Sequence, residues 1–442
     1  MARETDYDAI VIGGGPSGSA YAITLTRRGH TVLVLERDRF PRFHIGESLL
    51  PYTADMLERL GVLEKVGAEG FPVKLGLELS SSDGFLRRVA LGEIGDGFRN
   101  WTYQVERGDF DKILLDEAAA QPGATVLQEA KVTELIKSGD RLTGVKFTHD
   151  GATHTATAKF VVDASGRAGV VARGLGLRHA DANLKMAAVF KHFGDLDESN
   201  NPGVEGDTQI GVHPDGWVWA IPIRKDVISI GAMAPAAILR SNRPEDIFAE
   251  HVKRLPRIAA RIEGTTVHRE LTGEQNFEYH SDTLAGPGFF IIGDAGCFSD
   301  PVFSAGVYLA LATGNRAAEE TARVLSGEVT EEAAGNIFER FFKTGYETYY
   351  RLIRAVYDDR CPVMGQFITK VLMDASIDEK WRVRTLNGDF WTDTNPFVNA
   401  LRAEKSWDLF GDFERLIGCP VYGDRPRDPR DGSALPMPAQ GR

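Results

Sequence analysis

Three cysteines, Cys297, Cys361 and Cys419, are too few and too far apart for a disulfide framework or a zinc site, and they fit a reducing cytoplasm. No apolar run reaches the length of a membrane span, and the N-terminus has no basic stretch leading into a continuous apolar one. The run Tyr7–Ile12 near the start has only the length of a strand. Basic charge is in deficit: 51 Lys and Arg against 63 Asp and Glu give a formal net charge of −12. Nucleic acid and anionic membrane surfaces both need a basic patch, so neither is expected as a partner. A small anion needs only a local site, which the net charge does not bear on. Internal repeats are absent. The apolar fraction of 43% and charged fraction of 26% are ordinary for a soluble globular protein, and the length leaves room for two or three packed units.

What the chain does have is alternation of strand and helix signals. Residues 8–12 read as a buried parallel strand that runs into Gly13-Gly14-Gly15-Pro16-Ser17-Gly18. A helical pattern over 20–28 ends at Gly29-His30, and 31–35 is a second buried strand, which completes a βαβ unit. The alternation continues to about Gly176, interrupted near 72–104 by a stretch that reads antiparallel. Period-2 patterning then predicts strands at 209–212, 217–221 and 227–231. Residues 244–262 read helical, 288–292 as a buried strand, 304–325 as a long amphipathic helix, and 331–418 as mostly helical. In that last region Phe338, Phe341, Phe342, Tyr346, Tyr349 and Tyr350 recur at helical spacing, which points to core packing. The expected class is α/β. A Rossmann-like nucleotide domain covers 1–72, 104–183 and 268–330, and an inserted β-sheet domain covers 73–103 and 184–267. A helical region follows over 331–420, with an extended or disordered tail over 421–442.

A lone GxGxxG is a weak signal, but here a strand precedes it, a helix follows, and the second strand ends in an acid. Gly13 permits the tight turn, Gly15 lets the backbone approach a pyrophosphate, and Gly18 lets helix and strand pack closely. Phosphates belong at the helix N-terminus, where free N–H groups and the dipole favour negative charge. Glu36 closes the second strand where a ribose-binding acid belongs.

Two further segments choose between dinucleotides. Residues 161–167 form a strand ending in Asp163-Ala164-Ser165-Gly166, and 289–295 form one ending in Gly293-Asp294. The set resembles the FAD enzymes of the aromatic-hydroxylase fold. That resemblance implies FAD bound by Gly13, Gly15, Ser17, Gly18, Glu36, Arg37, Ser48, Arg107, Asp294 and Gly306, with Asp294 on the ribityl chain. From the pattern alone, Arg107 reads equally well as a surface residue at a helix start.

Three features narrow the family: the segment Phe40-Pro41-Arg42-Phe43-His44-Ile45-Gly46-Glu47-Ser48, the motif Trp217-Val218-Trp219-Ala220-Ile221-Pro222, and the turn Asp300 to Gly306. Together they resemble the flavin-dependent halogenases, whose signature is Trp-x-Trp-x-Ile-Pro. Without that resemblance, Trp217 and Trp219 would simply cap a core, since residues two apart on a strand share a face. With it, Trp217, Trp219, Ile221 and Pro222 mark a barrier between flavin and substrate. The resemblance puts the catalytic lysine at Lys74. By alternation alone Lys74 falls on the polar, surface side of a half-buried strand. The resemblance also places a chloride or bromide on the main-chain amides of Ala305 and Gly306. Phe303 stands where tryptophan-specific members have a glutamate, which favours the phenol- and pyrrole-type branch.

The implied chemistry starts from reduced FAD supplied by a separate NAD(P)H-dependent flavin reductase. Oxygen gives a C4a-hydroperoxide, halide attacks it, and hypohalous acid travels to Lys74, which aims an electrophilic halogen at an electron-rich ring. The substrate is an aromatic small molecule or an aromatic group on a carrier protein. Competing readings are an aromatic monooxygenase, an isoprenoid-type flavin reductase, and a non-catalytic flavin-binding protein.

Overall fold

The computed structural model describes residues 6–92, 97–197, 205–357 and 376–422. Tyr7–Ile12 lies near the centre of an eight-stranded sheet. It pairs in parallel with Val32–Leu35 on one side, followed by Ala124–Leu127, and with Ala152–Asp163 on the other, followed by Phe289–Ile291. Val32–Leu35 is buried on both faces, which is why it reads as an unbroken apolar run rather than an alternating one. Lys131–Ser138 and Arg141–His149 extend Ala152–Asp163 as an antiparallel meander. Helix Pro16–Thr26 follows the glycine turn and packs along helix Gly306–Leu325.

A second sheet of seven strands stands beside the first. Its order is Thr266–Ser281, Arg178–Gly194, Val227–Pro235, Gly216–Arg224, Thr208–His213, Gly76–Ser81, Leu86–Ala90. Pairing is antiparallel throughout except between Thr208–His213 and Gly76–Ser81. The strands expected at 209–212, 217–221 and 227–231 all lie in it. Gly216–Arg224 has two working faces. Trp217, Trp219 and Ile221 point into the main core, and Val218 and Ala220 point into a smaller one closed by Ile247, Phe248 and Val252 of helix Pro244–Lys253.

Two expectations need correction. The alternating stretch from Val73 does not turn its polar side to water: Lys74, Glu78 and Ser80 are 4%, 4% and 5% exposed. The chain breaks at Leu75. Val73–Lys74 pairs with Thr102–Tyr103, while Gly76–Ser81 joins the seven-stranded sheet. Burial of the two charged groups is tolerated because they are paired: Glu78 accepts from Gln209 and from Arg257, and Lys74 donates to Ser48. The second correction concerns the long helix, which begins at Gly306 rather than Ser304, because Ser304 has a left-handed φ of 57°.

The C-terminal region is helical over Glu331–Val356, Glu379–Leu386 and Pro396–Ala403, with largely irregular chain over 387–395 and 404–422. Cys361 and the tail from 423 lie outside the described residues. Among the described residues no helix is long and apolar enough to cross a membrane.

Candidate active site

A cavity of about 710 Å³ runs from the glycine turn, between the two sheets, to the tryptophan strand. That size suits a cofactor or large ligand. Gly13 has φ 108°, and a Cβ there would stand 2.4 Å from the Ala164 carbonyl oxygen, so only glycine fits this turn. The Cβ position of Gly15, by contrast, is open, with Arg42 its one neighbour at 3.5 Å. A backbone that ligand phosphates can approach is therefore present. Glu36 is buried at the strand end, its carboxylate accepting from the amides of Gly14 at 2.7 Å and Asp38 at 2.8 Å. This fixes the acid against the turn, where a ribose hydroxyl would reach it.

Ser17, Arg37, Ser48, Arg107, Asp294 and Gly306 also line the cavity. Arg107 is not a surface residue. It is 5% exposed, forks onto Asp111 at 2.8 and 3.0 Å, and donates to the Ile45 carbonyl at 2.6 Å. Burial pushes the Asp294 carboxyl up to about 6, against the downward pull of Arg107, Arg167 and Arg178. It faces the cavity that the glycine turn and the tryptophans also line. The glycine cradle, the acid at the strand end and the size of the cavity all fit FAD.

Trp217, Trp219 and Ile221 form part of the cavity wall, and Pro222 is buried just beyond it. The Trp219 ring lies over Gly231, where a Cβ would come within 2.1 Å of it. The Trp219 indole N–H donates to Ser229 at 3.2 Å and that of Trp217 to Tyr357 at 2.8 Å. Both buried indole N–H groups are thereby satisfied.

In the turn, Ser304 donates its amide to the Pro301 carbonyl at 2.8 Å and is followed by Ala305 at φ −89°, ψ −11°. A left-handed residue followed by a right-handed one turns successive amides toward one concavity, and the first amides of a helix have no partner within it. Ser304, Gly306 and Val307 line the cavity, whereas Ala305 is fully buried behind them. Asp300, 2% exposed, is pushed up to about 7 by burial, against its bonds from Tyr357 and the Val302 amide.

Lys74 does not line the cavity. Its ammonium lies one residue behind the wall, donating to Ser48 Oγ at 2.8 Å and to the Leu49 carbonyl at 3.2 Å. Ser48 and Thr208, both in the wall, are hydrogen-bonded to each other at 2.9 Å, and Gln104 donates to Thr208 at 2.7 Å. Burial pulls the Lys74 amine down to about 8, opposed only by the charge of Asp207. Sequence patterning gave no sign of Thr208, Gln104 or Tyr357, because the partners described here lie 57 to 160 residues away. Among the described residues no group of acids, histidines and cysteines is arranged to hold a metal.

A family model described as "FAD binding domain" matches residues 6–334. The 1H-pyrrole-2-carbonyl-[peptidyl-carrier protein] chlorinase of Pseudomonas fluorescens is 32% identical over 78% of this chain and 80% of its own length. The tryptophan 2-halogenase of Chondromyces crocatus is also 32% identical, over 79% of this chain and 67% of its own. The solved structure of the flavin-dependent brominase Bmp2 superposes with a TM-score of 0.78 at 28% identity, covering 91% of this chain and all of that one. The glycine turn, the cavity it opens and the tryptophan strand at its far wall therefore sit in a chain that belongs to the flavin-dependent halogenases, with the fold of the FAD-dependent aromatic hydroxylases.

Proposed function

We propose that this halogenase places chlorine or bromine on an electron-rich phenol or pyrrole ring, with Lys74 delivering the halogen and the turn 304–306 holding the halide. Bound reduced FAD, supplied by a separate flavin reductase, would activate oxygen for oxidation of the halide to hypohalous acid. The amides of Ala305 and Gly306 hold an anion without a side-chain charge, so the acidic chain is no obstacle. Trp217 and Trp219 wall off the flavin side and keep the organic substrate from it. Ser48 and Thr208 separate the cavity from Lys74, and their hydroxyls form the polar boundary that hypohalous acid crosses to reach the amine. A neutral amine can take the halogen as a haloamine, releasing water. An ammonium can only hold the acid by hydrogen bond.

The buried position of Lys74 carries this reading, since its ammonium is tied to a serine in the cavity wall. An isolated buried lysine with no carboxylate in contact is costly, and a site that needs a reactive amine accounts for it. The substrate is free, or held on a carrier protein as in the Pseudomonas relative's name. No carboxylate occupies position 303, where Phe303 packs against the core instead. The test is Lys74→Ala with a flavin reductase, NADH, oxygen and bromide over a panel of phenols and carrier-bound pyrroles. Halogenated product should vanish while FAD binding and oxygen consumption persist; normal product formation would remove Lys74 from the mechanism.

A further inference from the structure

The entrance to the turn is held from several elements at once. Strand Thr266–Ser281 contributes buried Glu278, which accepts from the Ser299 hydroxyl and from the Asp300 amide at 3.4 Å. Helix Glu331–Val356 contributes Tyr349, which donates to the Asp300 carbonyl at 2.5 Å. Tyr357, directly after that helix, donates to Asp300 Oδ2 at 2.9 Å and accepts from Trp217 Nε1 at 2.8 Å. Asp300 Oδ1 accepts the Val302 amide at 2.9 Å, inside the turn itself. The first tryptophan of the motif thus reaches the turn through one hydroxyl.

We propose that Tyr357 is a positioning residue for the halide, joining Trp217 to Asp300 in a strut that sets the turn 300–306 against the tryptophan strand. This rests on reading that turn as the halide site. A halide brings no directional bonding of its own, so its affinity depends on where the surrounding amides are held. The turn contains a non-glycine residue in the left-handed region, Ser304, which persists only where surrounding structure over-determines it. The strut is part of that structure. Without the Tyr357 hydroxyl, a buried carboxylate oxygen and a buried indole N–H lose their partners together, and rotation of the turn is the ready way to relieve the first. The motif then has a second duty: beyond walling off the flavin, its first indole steadies the halide's seat.

Tyr357→Phe removes both bonds and keeps the ring, and Trp217→Phe releases the same strut at its other end. Bromide is titrated into each FAD-loaded protein and followed in the flavin absorbance. Apparent KM for bromide and kcat are measured with the reductase, and FAD stoichiometry serves as the check on folding. Each variant should bind bromide about five- to tenfold more weakly, the effect of losing roughly one hydrogen bond. For Tyr357→Phe the loss should sit in KM rather than kcat, and the double variant should bind bromide no more weakly than either single one. Wild-type bromide affinity in Tyr357→Phe, or effects of the two substitutions that add in full, would overturn the strut alone. If Tyr357→Phe fails to hold FAD, the bromide affinity of Trp217→Phe decides by itself. A wild-type enzyme with no saturable response to bromide would instead overturn the halide assignment, and the strut with it.

Discussion

If Lys74 passes the halogen on as a haloamine, the halogenation rate must follow its neutral fraction. Burial brings its pKa from 10.5 to about 8. At pH 7 the neutral amine is then about 10% of the total, against about 0.03% for a solvated lysine, an enrichment of about 300-fold. Lowering the pH from 8 to 6 should cut the neutral fraction about 50-fold. The perturbation is therefore pH, and the assay is the initial rate of product formation at saturating bromide, with reduced FAD supplied directly so that the reductase's own pH dependence does not enter. The rate should fall close to tenfold per pH unit below about 7 and level off above about 8 to 9. FAD stoichiometry measured at each pH separates this from loss of cofactor. A flat profile between pH 6 and 8, with Lys74→Ala inactive, would refute the neutral-amine step and leave the lysine holding hypohalous acid as an ammonium.

The same burial has a cost in stability. In the unfolded chain the lysine keeps its proton up to about pH 10.5, and in the folded protein it releases it near 8. The unfolded state therefore binds more protons between those values, and this contribution to stability rises with pH across the window and is at its worst below it. Lys74→Met removes a penalty of about 3 kcal/mol at neutral pH and takes a donor from the Leu49 carbonyl and from Ser48, which keeps Thr208 as a partner, at about 1 kcal/mol or less each. A small gain in urea-melt stability is expected with halogenation lost, and a clear destabilisation would contradict the burial cost. Gly13→Ala should abolish FAD retention, read as the flavin-to-protein absorbance ratio, because its Cβ would sit 2.4 Å from the Ala164 carbonyl at a left-handed φ. Purified enzyme given NADH, bromide and FAD without a reductase should show no turnover, and brisk NADH oxidation would put the reductase function inside this chain.

The parts of the molecule set by short-range pattern were legible in the sequence. The glycine turn, Glu36 at the strand end and the shared face of Trp217, Trp219 and Ile221 each follow from a few neighbouring residues. Alternation, however, gives the phase of a strand and not which phase faces inward, so alternation alone puts Lys74 on the surface and only the family resemblance puts it in the site. Ser48, Thr208 and Gln104 meet it through sequence separations of 26 to 160 residues, which no local pattern encodes. Arg107 was ambiguous for the same reason, since Asp111 is local but the Ile45 carbonyl that completes its site is not. The expectation of a mostly helical 331–418 fails over 387–395, where the chain is irregular. There Trp391 stacks on Phe341 at 4.7 Å without a helix of its own.

The strand Gly216–Arg224 divides labour along its length. Residues 217, 219 and 221 face the cavity, while 218 and 220 face only a separate apolar cluster under helix Pro244–Lys253. A catalyst usually trades durability against activity because the same atoms answer for both. Here the two demands fall on alternate residues, so repacking around Val218, Ile228, Ile230 and Phe248 offers a route to a hardier enzyme with its chemistry left in place. The same alternation makes the strand intolerant of insertion or deletion, since a one-residue slip would exchange its two faces at every position beyond it.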